Sequence, residues 1–353
     1  MSRILVVNAG STSLKLSLVD EAGTSQPLDS FEQARGEVEA AAHRVVLGGT
    51  RFSDAVVVHA DVRAALAEVA DLAPLHNRPT LAAIDEAMKA LPEIPHVAVF
   101  DTAFHRTIPD EASTYALPAR WRHDWGIRRF GFHGLSVQWA AEQVRAPRLV
   151  VCHLGGGCSV TAVRDGRSID TTMGFSPLEG VPMATRSGSI DAEIVLHLLR
   201  TGTLDLEQIE HALEWESGLL GLSGESGRVE ELERSSSPAA RLALDVFAHR
   251  VAAAVAAMAA SLDGIDALVF TAGIGEGSVG VRRDVCRRLG FLGVELDVAA
   301  NEAAVPDADV DVPGTAVRIV VLRAREDVVA ARAARLVVSE AAQPHDGVDA
   351  AGG

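Results

Sequence analysis

Residues 4–20 read ILVVNAGSTSLKLSLVD, and at an offset of 145 positions residues 149–165 read LVVCHLGGGCSVTAVRD. Each stretch is an apolar run, a polar residue (Asn8, His153), a turn of small residues, an alternating run and a closing acid (Asp20, Asp165). Four or more apolar residues followed by a small-residue turn and period-two alternation read as strand, tight turn and strand. The tip of such a hairpin, lined by hydroxyls and exposed backbone N–H groups, is a shape that holds phosphate. One small-residue hairpin is only a turn. Its recurrence constrains the chain to two related domains, each giving one loop to a shared cleft.

Composition sets outer bounds. A chain of 353 residues can bury two full cores. It is 48% apolar with mean hydropathy +0.17, yet no stretch reaches the ~18 uninterrupted apolar residues of a membrane span. Residues 251–260 (VAAAVAAMAA), flanked by His249, Arg250 and Asp263, read as a buried helix. The N-terminal stretch reads as a strand, without a charged start followed by a signal-like apolar core. Three cysteines (Cys152, Cys158, Cys286) without a CxxC pair read as reduced cytosolic thiols, neither a disulfide framework nor a zinc site. Net charge −16 argues against nucleic acid or an anionic membrane as partner. Lys15 and Lys89 are the only lysines; Lys15, on the first hairpin, is a candidate point charge or a solvated strand residue.

Along the chain, Arg44 lies in a β-like run (residues 42–49, AHRVVLGG), facing either solvent or a cleft. A helix is expected over 62–71, a Pro-bracketed loop over 73–79 and a helix over 80–90. Residues 96–104 (HVAVFDTAF) form a buried strand ending in Asp101 and Thr102; an acid at a strand's C-terminal end is a common place for a Mg²⁺ ligand or catalytic acid, and also for a cap. In residues 128–134 (RRFGFHG), flanking glycines let a ligand approach His133, the alternative being a structural histidine. Residues 170–188, rich in Gly, Pro and hydroxyls, form a loop long enough to be functional. Helices follow from 191, over 204–214 and over 238–262, with a turn-rich loop at 218–228. A strand at 267–272, a Gly loop at 273–278 and a helix to 289 make an anion-binding unit. A last strand (317–322) and a helix (326–339) precede a tail expected to be disordered. Gly275, Gly277 and Gly280 also match G-x-G-x-x-G, with Glu295 twenty residues after Gly275, so an NAD-binding oxidoreductase is a rival. That motif comes in the last third of the chain and leaves the repeated hairpins unexplained. No Walker A sequence occurs.

The stretches VNAGSTSLK, APLHN, VAVFDTAFH, RRFGFHG, HLGGGCS, MGFSPLEG, TRSG and FTAGIGE follow in this order between Ile4 and Val338. With them the chain resembles the acetate kinase family, among the actin/sugar-kinase/Hsp70-type phosphotransferases. The resemblance implies an α/β fold of duplicated ribonuclease-H-like (actin-like ATPase) domains flanking a cleft: residues 1–147 with 325–353, and residues 148–324. It implies reversible in-line phosphoryl transfer from ATP to acetate, with Mg²⁺ or Mn²⁺, in a cytoplasmic homodimer. By the same resemblance Ser11, Ser13 and Lys15 lie at the phosphates, and Asn8 and Glu326 at the metal. Arg44, Asp101, His133 and Arg186 serve the transfer, His133 and Arg186 stabilising the transition state, with His76 nearby. Val46, Leu75, Phe132 and Pro177 join Arg44 around the acid. His153, Leu154, Gly155, Gly156, Gly157, Arg228, Gly273, Ile274, Gly275, Glu276 and Gly277 bind the nucleotide.

Departures from the family pattern gather on the nucleotide side. Gly156 and Gly277 stand where the family has Asn, and the SGESGR loop lacks the acid before Arg228. The segment before Arg44 is shortened, Leu47 replaces a His and Thr50 a Glu. These leave a short-chain acyl (propionate) kinase, a pyrophosphate-dependent kinase and a catalytically degraded nucleotide-binding sensor as alternatives.

Overall fold

The structure is a computed structural model. It describes residues 3–9, 14–70 and 74–342, and only the backbone of residues 74–76 and 342. Ser11 and Ser13, the side chains of Leu75 and His76, and the tail from residue 343 lie outside the described residues.

Two six-stranded sheets share one topology. In the first, β1 (Ile4–Ala9), β2 (Leu14–Val19), β3 (Ser25–Leu28), β4 (Ala40–Val45), β5 (Val56–Val57) and β6 (His96–Phe100) run in the order β3-β2-β1-β4-β6-β5. In the second, β7 (Arg148–Leu154), β8 (Cys158–Arg164), β9 (Arg167–Thr171), β10 (Ala267–Thr271), β11 (Ala308–Asp309) and β12 (Arg318–Val321) run β11-β12-β10-β7-β8-β9. Read from the meander end, both have two antiparallel pairings, then two parallel pairings, then one antiparallel edge. The repeated hairpins are β1–β2 and β7–β8, with Asn8 opposite Lys15 and His153 opposite Ser159. The duplication read from sequence is thus a duplication of fold.

The chain divides into one compact unit of residues 1–103 with 326–353 and another of residues 104–325. The expected first boundary is at 147; in the structure, residues 104–147 group with the second unit. Their bonds explain it: His105 pairs with Ser168, Arg129 with the carbonyls at the end of β9, and the helix Gly134–Val144 packs on β7.

In the first unit, the helix Pro74–Ala90 packs on β1 and β4, burying Leu81, Ala83, Ile84 and Ala87. Of the loop expected at 73–79, residues 74–79 belong instead to this helix, with Pro79 inside it, and residue 73 lies outside the described residues. An internal proline costs a helix ~3 kcal/mol. Burial of the following apolar face offsets that, at roughly 1.5–3 kcal/mol for each large side chain. Asn77 adds a tether, accepting from Leu47 N at 3.2 Å and donating to Leu47 O at 3.0 Å. The terminal helix Glu326–Ala342 packs on β1, β4 and β6, so its first residue returns to the ends of those strands.

In the second unit, the helix Pro238–Leu262 starts at a Ser237 cap, with Pro238 in its first turn, and stops at Asp263 in the left-handed region. It is the one described helix long and apolar enough to cross a membrane by composition. It packs on β7, β8 and β9, burying Ala240, Ala243, Phe247, Val251, Val255, Met258 and Leu262 on one face. The Gly loop expected at 273–278 is instead a short helix, Ala272–Gly277, followed by Val279–Cys286 capped by Ser278. Gly275 and Gly277 therefore lie inside a helix, not in the strand-to-helix turn a dinucleotide fingerprint requires.

Candidate functional site

In the first unit the polar groups meet where β1, β4 and β6 end. Arg44 sits on β4 with 15% of its side chain exposed, so of its two expected settings the structure selects the buried one. Its Nη2 donates to Asp101 Oδ2 at 2.6 Å and its Nη1 to Asn8 Oδ1 at 3.3 Å. Nε, without a hydrogen-bond partner, lies 3.8 Å from Glu326 Oε2. Burial opposes the Arg44 charge, but Asp101 and then Glu326 outweigh it and raise the guanidinium pKa. Burial also raises the Glu326 pKa; Arg44 opposes this, while Asp101 and Asp327 add to it. Lys15, exposed on β2, is close enough to favour the ionised Glu326. Two carboxylates, Asp101 and Glu326, share one guanidinium, with Asp327 near Glu326, and a cation there would relieve the repulsion among the acids. No group of three His, Cys, Asp or Glu forms a metal cage among the described residues. Val46, just past β4, is 9% exposed.

In the second unit a different set gathers around the β7–β8 loop. The His133 and His153 rings stack at 3.9 Å. His133 Nδ1 pairs with Ser159 Oγ at 3.0 Å, and His153 Nδ1 with Ser136 Oγ at 2.9 Å. His133 is in the left-handed region, φ 61°, at the cap of the helix Gly134–Val144. A methyl group on Gly157 would stand 3.1 Å from His133 Nε2 and 3.6 Å from Arg186 Nη1, so glycine lets the loop approach both. Arg186 Nε lies 3.1 Å from Glu214 Oε2, and its Nη1 donates to Pro177 O at 3.4 Å. Glu214, 28 residues downstream in a π-helical turn (Ala212–Glu216), carries no signal in the sequence. Burial raises its pKa against the pull of Arg186.

Glycine in the RRFGFHG stretch serves packing. Gly131, φ 76°, makes room for the His105 ring, which a Cβ would approach to 2.7 Å. His105 in turn bonds Phe132 O at 2.9 Å and Ser168 Oγ at 2.8 Å. Phe132, 1% exposed, is thereby fixed by a histidine that sequence reading passed over.

A groove of about 230 Å³ in this unit is lined by Gly155, Gly156, Gly227, Arg228, Gly273, Ile274 and Gly277, among others. At ~30 Å³ per water it has room for a ring system. A Cβ on Gly156 or on Gly277 would meet nothing within 4 Å, so both face open space. Arg228, 70% exposed, pairs loosely with Glu230 and Glu231 at its rim. His153, Leu154, Gly157, Gly275 and Glu276 do not line the groove. Glu276 folds back instead, accepting from Ala272 N at 3.0 Å and Ala324 N at 2.8 Å.

A family model described as the acetokinase family matches residues 26–332. The acetate kinase of Gloeobacter violaceus is 45% identical over 309 residues, 84% of this chain and 76% of that protein. The acetate kinase of Nostoc punctiforme is 43% identical over 302 residues, 82% and 74%. Among solved structures, a propionate kinase from Francisella tularensis superposes with TM-score 0.88 at 33% identity, covering 94% of this chain and 99% of that one. The acetate kinase of Porphyromonas gingivalis gives TM-score 0.85 at 30% identity, covering 96% and 100%.

Proposed function

The chain belongs to the acetokinase family, and on that premise we propose that it is an acetate kinase, moving the γ-phosphoryl group of ATP onto acetate to give acetyl phosphate and ADP. The observation that carries the reading is that each unit holds an arginine on a carboxylate: Arg44 on Asp101 in the first, and Arg186 on Glu214, beside the His133–His153 stack, in the second. In-line transfer spreads negative charge over the equatorial oxygens, so fixed cations and donors provide most of the catalysis. The acceptor carboxylate is ionised at neutral pH and needs no general base.

In this reading Arg44 grips the acid, and Arg186 with the Nε2 edge of His133 donates to the phosphoryl group in flight. Val46 in the first unit and Phe132 and Pro177 in the second are the described apolar residues assigned to the methyl group of the acid. The groove at Gly155, Gly156, Gly273 and Gly277 takes the nucleotide. Glu326 and Asn8 would hold Mg²⁺, whose charge would neutralise the phosphates; a Glu326→Gln variant then needs more Mg²⁺ for half-maximal rate. The apolar side chains admit propionate as a second acid, since one methylene is worth only ~1–3 kcal/mol of discrimination.

Two copies of the chain assemble in this reading. The helix Ala192–Thr201 has no buried residue, yet Ile194, Leu196 and Leu199 are 51%, 51% and 41% exposed. An apolar helix left uncovered marks an interface. Light scattering should give twice the 37.1 kDa chain mass, and Leu196→Glu should give the chain mass alone. The reaction itself is tested by phosphorus NMR of mixtures of each acid with ATP or pyrophosphate. An acyl phosphate signal is expected with ATP and acetate; its appearance with pyrophosphate alone would replace the donor.

A further inference from the structure

Three side chains of the second unit have no part in the transfer described above, yet they converge on the loop that carries Pro177. Arg129 Nη1 donates to the carbonyls of Thr171, Thr172 and Met173 at 3.0, 3.1 and 3.1 Å, and its Nη2 donates to Glu179 Oε1 at 2.9 Å. Tyr115 Oη donates to the other oxygen of the same carboxylate and accepts from Phe175 N at 2.8 Å. The guanidinium also lies over the phenol ring, 5.4 Å from its centre. From the facing side, Phe130 N and Gly131 N both donate to Gly174 O, at 3.0 and 3.3 Å. Gly174 is required here, because any Cβ would collide with Glu179 Oε2 and Tyr115 Oη.

The loop is therefore pinned on both sides of Pro177: at residues 171–175 by Arg129 and Tyr115, and at Glu179 by both. Pro177 itself is held by its carbonyl, which accepts from Arg186. A bidentate carboxylate joined to a guanidinium and a phenol is a geometrically specific lock, since charge-assisted bonds are roughly twice as strong as neutral ones. Burial and then the Glu179 bond raise the Tyr115 pKa, which keeps the phenol a donor across the neutral range.

We propose that Arg129, Glu179 and Tyr115 are positioning residues that set where Pro177 and the Arg186 guanidinium stand, and through them the chain length of acid accepted. This rests on the acyl kinase reading. Small displacements suffice, because misplacing a reacting group by about 1 Å can cost ~10²-fold, and one methylene of acid is itself worth roughly 10–200-fold.

The test uses Glu179→Gln, which keeps the shape and removes the charge, and Tyr115→Phe, which removes one bond. For each, kcat and KM are measured with acetate, propionate and butyrate. Tyr115 is the only tyrosine, so wild type and Glu179→Gln grown with 3-fluorotyrosine each give one fluorine resonance reporting on the lock. In Glu179→Gln that resonance should move, the KM for acetate should rise more than kcat falls, and the propionate-to-acetate ratio of kcat/KM should change about fivefold or more. Tyr115→Phe should change it in the same direction by less, and carries the test alone if Glu179→Gln does not fold. A resonance that stays put, or a ratio within twofold of wild type in both variants, overturns the proposal. Wild type that phosphorylates none of the acids overturns the acyl kinase reading and this role with it; active wild type with unchanged ratios overturns the role alone.

Discussion

At the scale of single residues, the site of the first unit depends on one buried ion pair. Asp101 is fully buried and holds Arg44 at 2.6 Å. Removing one partner of such a pair leaves the other charge without its counterion, a loss of roughly 3–5 kcal/mol. Asp101→Asn should therefore lower kcat with acetate about a hundredfold or more, with the KM for ATP little changed, as steady-state kinetics will read. On the other face of β4, His96 Nε2 donates to Leu91 O at 3.0 Å, so its Nδ1 must accept from His43 Nε2 at 2.9 Å. The remaining nitrogen, His43 Nδ1, has no partner. Burial, then the charge of His96, depresses the His43 pKa to about 3, below its ordinary 6.5. Between those values the unfolded chain binds the extra proton, so stability falls as pH falls, by up to about 1.4 kcal/mol per pH unit. The melting temperature should drop between pH 7 and pH 4, and drop less in His43→Leu. Gly156 offers the converse experiment. Its missing Cβ faces open space, so Gly156→Asn should fold normally, add a donor beside the nucleotide groove and lower the KM for ATP severalfold.

Among the elements, the two hairpins were legible because a period-two pattern and a small-residue turn are local properties of the chain. The strand ends carrying Arg44 and Asp101 were legible for the same reason. Glu214 was not, since its tie to Arg186 spans 28 positions with no periodicity to mark it. His105 and Asn77 were missed because each acts on the backbone of a distant residue, Phe132 O and Leu47 N and O. Pro79 misled in the opposite sense: a local helix breaker was overridden by the packing of Ile84 and Ala87. The β7–β8 loop makes a prediction at this scale. Gly157→Ala would press a methyl group against His133 Nε2, 3.1 Å away, and toward Arg186. Activity should fall about tenfold or more while the melting temperature barely changes, because the loop, not the core, absorbs the strain.

For the whole molecule, two sheets of one topology have acquired different side chains. Where the first unit's β1 and β4 carry Asn8 and Arg44, the second unit's β7 carries His153, and β10 ends at Thr271 beside the nucleotide-lining Gly273 and Ile274. A duplicated fold thus gives one unit Arg44 with Asp101 and Glu326, and the other Arg186 with Glu214, a histidine stack and a glycine-lined groove. Both sets, in the function proposed, serve phosphoryl transfer from ATP to a short carboxylate. Trapping acyl phosphate as its hydroxamate from ATP, Mg²⁺ and acetate measures that transfer itself. Hydroxamate should accumulate in step with ADP and be lost in Arg186→Ala; ADP released without hydroxamate, or no turnover with any short acid, would contradict it.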